Sequence, residues 1–174
     1  MAGVHGNGVA RAGFCNPAKC AILWNEEDMV REATADDIED LVRLVMEYRE
    51  FYGVKNQDAD EVRNFMKARL ENGQSKVFVA TEPSGEAVGF IQLYPSYSTV
   101  SLRPQWILND LFVEPPHRRK GHGSALMAHA KEYFCGNAKG FILLTEKSNA
   151  TAKSFYENDG WTYADYDLYT FFYR

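Results

Sequence analysis

The stretch from Val113 to Ser124 carries the densest chemical signal in the chain: Val-Glu-Pro-Pro-His-Arg-Arg-Lys-Gly-His-Gly-Ser. An apolar, strand-like run leads into it and a helix-like run leads out. Gly121 and Gly123 let the backbone turn tightly and approach a ligand with no Cβ in the way. The first amides of the new helix lack intrahelical acceptors, and the helix dipole adds positive potential there. A diphosphate fits such a nest of amides. Arg118, Arg119 and Lys120 add positive charge. The same residues also suit a plain strand-to-helix turn with a solvated basic corner. A Walker A loop needs Lys and then Ser or Thr after its second glycine, and that pattern is absent, as is G-x-G-x-x-G.

A second pattern begins about thirty residues further on. Asn149, Ala152 and Tyr156 stand in the order N-x-x-A-x-x-x-Y, and Gly160-Trp161 follows. Asn149 and Tyr156 are seven residues apart, nearly two helical turns, so both can face one groove. Ala152 keeps the surface between them shallow. Singly, a capping Asn and a core Tyr are ordinary. The two patterns together are not.

With both on the page, the chain resembles the Gcn5-related N-acetyltransferase (GNAT) superfamily from Met29 to its C-terminus, most strongly between Val88 and Trp161. Arg118, Gly121 and Gly123 match that family's Q/R-x-x-G-x-G/A loop. The resemblance implies an acetyl-CoA-dependent enzyme with no metal. Backbone amides of Arg119, Lys120, Gly121, His122, Gly123 and Ser124 would hold the CoA diphosphate. Phe112 and Val113 would pair with the pantetheine like an added strand. Asn149, beside Ala152, would hydrogen-bond the pantetheine, and Tyr156 would sit near the thioester sulfur.

The chemistry explains those positions. A primary amine must be neutral before it attacks the acetyl carbonyl, and a carboxylate can take its proton, directly or through water. The developing oxyanion needs a donor such as a backbone N–H. The departing thiolate needs a proton, which a Tyr of pKa about 10 can give. Asp110 and Glu146 are the two candidates for the base. A buried structural role for Asp110 is the competing reading. Strict strand alternation would put Asn109 and Asp110 on opposite faces. The run Ile-Leu-Asn-Asp-Leu-Phe-Val resembles the diamine and histone/polyamine acetyltransferase branches, but Asn109 stands where diamine acetyltransferases carry a Glu, and an amide cannot be a base.

On the acceptor side, Glu47, Tyr48, Glu50, Phe51 and Tyr52 end the first helix and Tyr94 ends a strand. Acid plus aromatic suits a cationic amine; a solvated face over core aromatics is the plainer alternative. The expected reaction is direct acetyl transfer, in a ternary complex, to a small polyamine-like or lysine-like amine. Protein or peptide amines, aminoglycosides, and a non-catalytic acyl-CoA-sensing module remain alternatives.

These residues need a scaffold. Val30–Ala33 reads as a short strand, and Thr34-Ala-Asp-Asp37 as a capping box. Ile38, Leu41, Val42, Val45 and Tyr48 recur at helical spacing, as do Val62, Phe65, Met66 and Leu70. Residues 76–81 and 87–94 form a hairpin around Pro83-Ser-Gly85, and residues 106–113 form a third long strand. A helix over about 123–134, a strand over 141–145, a helix over about 150–158 and an aromatic strand or hairpin over 161–173 complete the chain. The fold class is α/β (α+β): a mixed, mostly antiparallel central sheet flanked by helices, in the order β-α-α-β-β-β-α-β-α-β.

Composition sets the outer bounds. In 174 residues there are 19 Lys and Arg against 24 Asp and Glu, a net charge of −5, which argues against a general nucleic-acid binder. No apolar run approaches membrane-spanning length. Residues 1–28 are glycine-interrupted and read as an extension to a 29–174 domain. Three cysteines favour a reducing cytoplasm over a disulfide framework. His5 with Cys15 and Cys20 is a weak metal pattern. His117, His122 and His129 have no carboxylate at ligand spacing, so surface or loop roles are expected. The aromatic tail is expected to be covered in a homodimer.

Overall fold

The computed structural model describes residues 29–173. The His5, Cys15 and Cys20 pattern lies outside them. The order is β1 (Val30–Glu32), a 3₁₀ turn (Ala35–Asp37), α1 (Ile38–Phe51), α2 (Ala59–Glu71), β2 (Lys76–Thr81), β3 (Ala87–Ser98) and β4 (Arg103–Val113). A second 3₁₀ turn (Pro115–His117), α3 (His122–Tyr133), β5 (Phe141–Leu143) and α4 (Ala150–Asn158) follow. The chain divides into two compact units between Ile142 and Leu143.

The five strands lie in sequence order, and β1 through β4 pair antiparallel. β2 is apolar almost throughout because both its faces are covered. Val77 and Val79 join Leu41, Leu44, Val62 and Met66 in the core beneath α1 and α2. Phe78, pointing the other way, meets His129 and Tyr133 of α3 at ring distances of 4.8 and 5.2 Å. The sheet of the first unit is thus a filling between α1–α2 and α3.

The expected capping box forms. Thr34 Oγ1 accepts from the Asp36 amide, and Asp37 accepts from the Thr34 amide at 2.7 Å. Arg31 adds a two-pronged pair to Asp37 at 2.6 and 2.8 Å. This fixes the entry to α1, the helix that carries Tyr48.

Two features of β4 shape its functional end. Gln92 pairs with Asp110 but Leu93 with Leu108, so Asn109 is an additional residue, a β-bulge. At Gly89, opposite Val113, a Cβ would stand 2.8 Å from the Phe112 carbonyl oxygen, so glycine is what lets the strands close up at the exit of β4.

The sequence-based order fails at its end. Residues 161–173 have no regular secondary structure. Tyr166 is 89% exposed and Phe172 80%, and neither side chain is packed as a strand in a sheet would be. High β-propensity does not make a strand without a neighbour to take its backbone bonds. β5 is likewise shorter than expected, ending at Leu143.

Candidate active site

Strand β4 ends at Val113, and the loop to α3 is tightly wound. Glu114 returns its amide to Val88 O at 3.0 Å, and its buried carboxylate pairs with Arg43 of α1. Arg119 has φ 62° and Gly121 φ 96°, so the chain passes twice through the left-handed region before α3 starts at His122. The first amides of α3, on His122, Gly123 and Ser124, have no intrahelical acceptor. Arg119, Lys120 and Ser124 are exposed around them. The loop expected from the sequence is therefore present, with its basic residues outward.

Two side chains of this loop behave differently from expectation. Arg118 turns back: its Nε donates to Val113 O at 2.7 Å, and its guanidinium lies 5.5 Å from the Phe112 ring centroid. The Val113 carbonyl expected to pair with pantetheine thus already accepts one hydrogen bond, with its second lone pair left for a ligand. His122 is only 5% exposed and points inward, so only its backbone can meet a ligand in the loop.

The inward partner is Glu82, in the turn after β2. Its Oε1 lies 2.7 Å from His117 Nδ1 and 3.2 Å from His122 Nε2. The bond from His117 is the largest influence holding the Glu82 carboxyl below its ordinary value; His122 and Lys120 add to it against partial desolvation. An ionised carboxylate only accepts, so each imidazole presents an N–H to it. Sequence spacing did not show this carboxylate, because it arrives from another strand.

Glu82, His117 and His122 also have the donor types of a metal site, with ligating atoms within 4.8 Å of one another. A metal on His122 Nε2 would move the ring proton to Nδ1. That atom is buried without a hydrogen-bond partner, and ligating histidines almost always donate their second N–H. The chemistry of the trio fits hydrogen bonding better than a cation.

At the bulge, the expected opposition of Asn109 and Asp110 is not what forms. Asn109 Nδ2 donates to Asp110 Oδ2 at 2.9 Å, because the additional residue breaks the alternation. The Tyr48 hydroxyl of α1 lies beside Asp110. Burial raises the Asp110 carboxyl above its ordinary value, and Asn109 and then Tyr48 offset part of the rise. Burial, and then the Asp110 charge, raise the Tyr94 and Tyr48 hydroxyls. Tyr48 also stacks edge-on with Tyr52 at 5.0 Å and Phe112 at 5.9 Å. The structure thus brings Tyr48 and Tyr94 to Asp110 and Asn109, with Tyr52 packed against Tyr48. Glu47 is half-buried on the same helix, and Glu50 is exposed.

In the second unit, Asn149 caps α4, its Oδ1 accepting from the Ala152 amide at 3.0 Å. The cap leaves the Nδ2 donor for a ligand contact. Tyr156, on the same helix, packs against Trp161 at 5.8 Å, and its carbonyl accepts the Trp161 amide at 3.0 Å. Glu146 is exposed and accepts from Ser148 at 3.4 Å.

A profile of the acetyltransferase (GNAT) domain matches residues 73–163, from the start of β2 past α4. The chain belongs to the GNAT acetyltransferase family. It is 44% identical over 133 residues to the uncharacterized N-acetyltransferase YhfO of Bacillus subtilis (strain 168), covering 76% of this chain and 88% of that protein. It is 33% identical over 101 residues to the streptothricin acetyltransferase of Streptomyces lavendulae, covering 58% and 51% of the two chains. The solved structure of a probable acetyltransferase superposes with a TM-score of 0.78 at 32% identity, over 83% of this chain and 97% of that one. This GNAT enzyme is an N-acetyltransferase, and acetyl-CoA is the co-substrate of its family. Among the described residues, no helix is long and apolar enough to cross a membrane.

Proposed function

We propose that the enzyme moves the acetyl group of acetyl-CoA to a primary amine of a small, cationic, polyamine-like or lysine-like molecule, by direct attack in a ternary complex. The observation that carries this is Asp110: a part-buried carboxylate with a raised proton affinity, beside Tyr48 and Tyr94. A carboxylate so placed attracts an ammonium group, the aromatic faces add cation–π attraction, and a raised pKa suits proton abstraction near neutral pH. Glu47 and Glu50 on the same helix extend the acidic character toward solvent. Glu146 is exposed and beside a serine, a setting that gives a base no comparable help.

In this reading the amides from Arg119 to Ser124 hold the CoA diphosphate. Asn149 Nδ2 meets the pantetheine, and Tyr156 returns a proton to the leaving thiolate. Asn109 fixes the rotamer of Asp110 rather than acting as a base. The tetrahedral intermediate collapses when the carbon–sulfur bond breaks, giving the amide and CoA thiol. The similarity to a streptothricin acetyltransferase supports a small-molecule acceptor. The catalytic domain would run over 29–174 with residues 1–28 as an extension. We place it in the cytoplasm as a homodimer, the exposed aromatic side chains of residues 163–173 supporting burial against a second copy.

The test is an acetyl-CoA turnover screen, following free thiol, against polyamines, lysine analogues, aminoglycosides and histone peptides. A polyamine or lysine analogue should give the highest kcat/KM. Preference for the peptides or aminoglycosides would sink the acceptor assignment. Acetyl-CoA binding with no turnover of any amine would favour an acyl-CoA sensor.

A further inference from the structure

The geometry points to Glu82 as a positioning residue that holds the diphosphate loop in its binding shape; this rests on that loop being the CoA diphosphate site. One oxygen, Oε1, takes the N–H of His117 at 2.7 Å and of His122 at 3.2 Å. His117 closes the turn before the loop and His122 opens the helix after it. A single atom therefore fixes both ends of the segment Arg118–Gly121.

That segment needs holding. It contains Arg119 at φ 62°, a left-handed conformation that a non-glycine residue keeps only where the surroundings enforce it. The anchor is itself rigid. The Glu82 amide donates to Glu86 O at 3.0 Å, and its carbonyl accepts from the Gly85 amide at 2.8 Å, so the hairpin turn fixes its backbone. On its other side, His117 Nε2 lies 4.0 Å from Glu114, which Arg43 ties to α1. The His122 ring is buried, and its Nε2 has Glu82 as partner. A negative charge beside a diphosphate site opposes ligand binding electrostatically. Its place there is explained by the two N–H groups it gathers.

The loop serves the diphosphate, not the acetyl-pantetheine end, and this separates positioning from general stability. Glu82→Ala and Glu82→Gln are compared with the parent by equilibrium titration with CoA and by steady-state kinetics. The donors are acetyl-CoA and S-acetylpantetheine, which lacks the diphosphate. Glu82→Ala should raise the CoA Kd and the acetyl-CoA KM about tenfold, with kcat and the amine KM within about twofold. With S-acetylpantetheine it should match the parent. Glu82→Gln, which keeps an acceptor oxygen, should recover most of the loss. If Glu82→Ala does not fold, His117→Ala removes one of the two bonds and carries the same comparison.

Unchanged CoA affinity in the Ala variant overturns the assignment. So does an equal loss with both donors, which would mark a merely structural residue. A parent protein that binds S-acetylpantetheine and CoA equally well strikes the loop reading itself, a different failure.

Discussion

The Tyr48 hydroxyl on α1 lies beside the Asp110 carboxylate on β4, close enough that each shifts the other's proton affinity. A helix and a strand separated by more than fifty residues of sequence thus meet at the candidate base. Burial raises the proton affinity of Asp110, while Tyr48 and Asn109 temper the rise. The group is kept ionisable inside a partly apolar surround. That balance makes a useful base and an unfavourable structural residue, and the two properties can be measured separately.

Asp110→Asn should lower kcat by about 10²–10⁴-fold, the usual contribution of a positioned base. It should also stabilise the protein. A carboxyl whose folded pKa is raised contributes stability fully below its unfolded pKa and loses it as pH rises through the folded value. The Tm of the variant should exceed that of the parent at pH 8, with the gap closing toward pH 3. Thermal melts across that range check it. A variant less stable than its parent at pH 8 would make Asp110 structural.

Tyr48→Phe removes a hydroxyl that lowers the Asp110 carboxyl. The acidic limb of the kcat/KM profile should therefore move to higher pH. The rate loss should be several-fold at the acid end and fade on the alkaline plateau. The measurement is a pH profile of both proteins with one amine; an unshifted limb means the hydroxyl does not reach the base.

Gly121→Ala tests the loop through its backbone. A Cβ there has no atom within 4 Å, so packing does not resist it, but φ is +96°. The strain is about 1–3 kcal/mol for a residue held in a sparsely populated region. The loop would relax and CoA affinity should fall at least tenfold, as read by titration. CoA affinity equal to the parent's would show that the diphosphate binds elsewhere.

Tyr156→Phe should leave CoA affinity within about twofold while cutting kcat by 10²-fold or more, if its hydroxyl is the acid for the thiolate. Donors with better leaving groups should close the gap. An equal loss with every donor would assign Tyr156 to packing against Trp161.

The regularly spaced elements were legible because one rule fixes each of them. β2 is read from its run of β-branched and aromatic residues, and α4 has the expected bounds because Asn149 caps it. The bulge was not legible. Ile-Leu-Asn-Asp-Leu carries no signal that Asn109 drops out of the pairing, since a bulge is set by the register of β3 against β4. Residues 161–173 show the converse: aromatic composition predicts a strand, but pairing requires a neighbour.

The sequence by itself determined the family and the glycine turn between β4 and α3. Both are local patterns, in which glycine and basic residues at fixed spacing dictate what the adjacent backbone can do. Only the tertiary structure decided which side chains meet. It placed Tyr48 against Asp110, turned Arg118 back onto Val113, and brought Glu82 to His117 and His122. Each of these contacts depends on the loop's return path or on strand and helix packing, which local spacing does not encode.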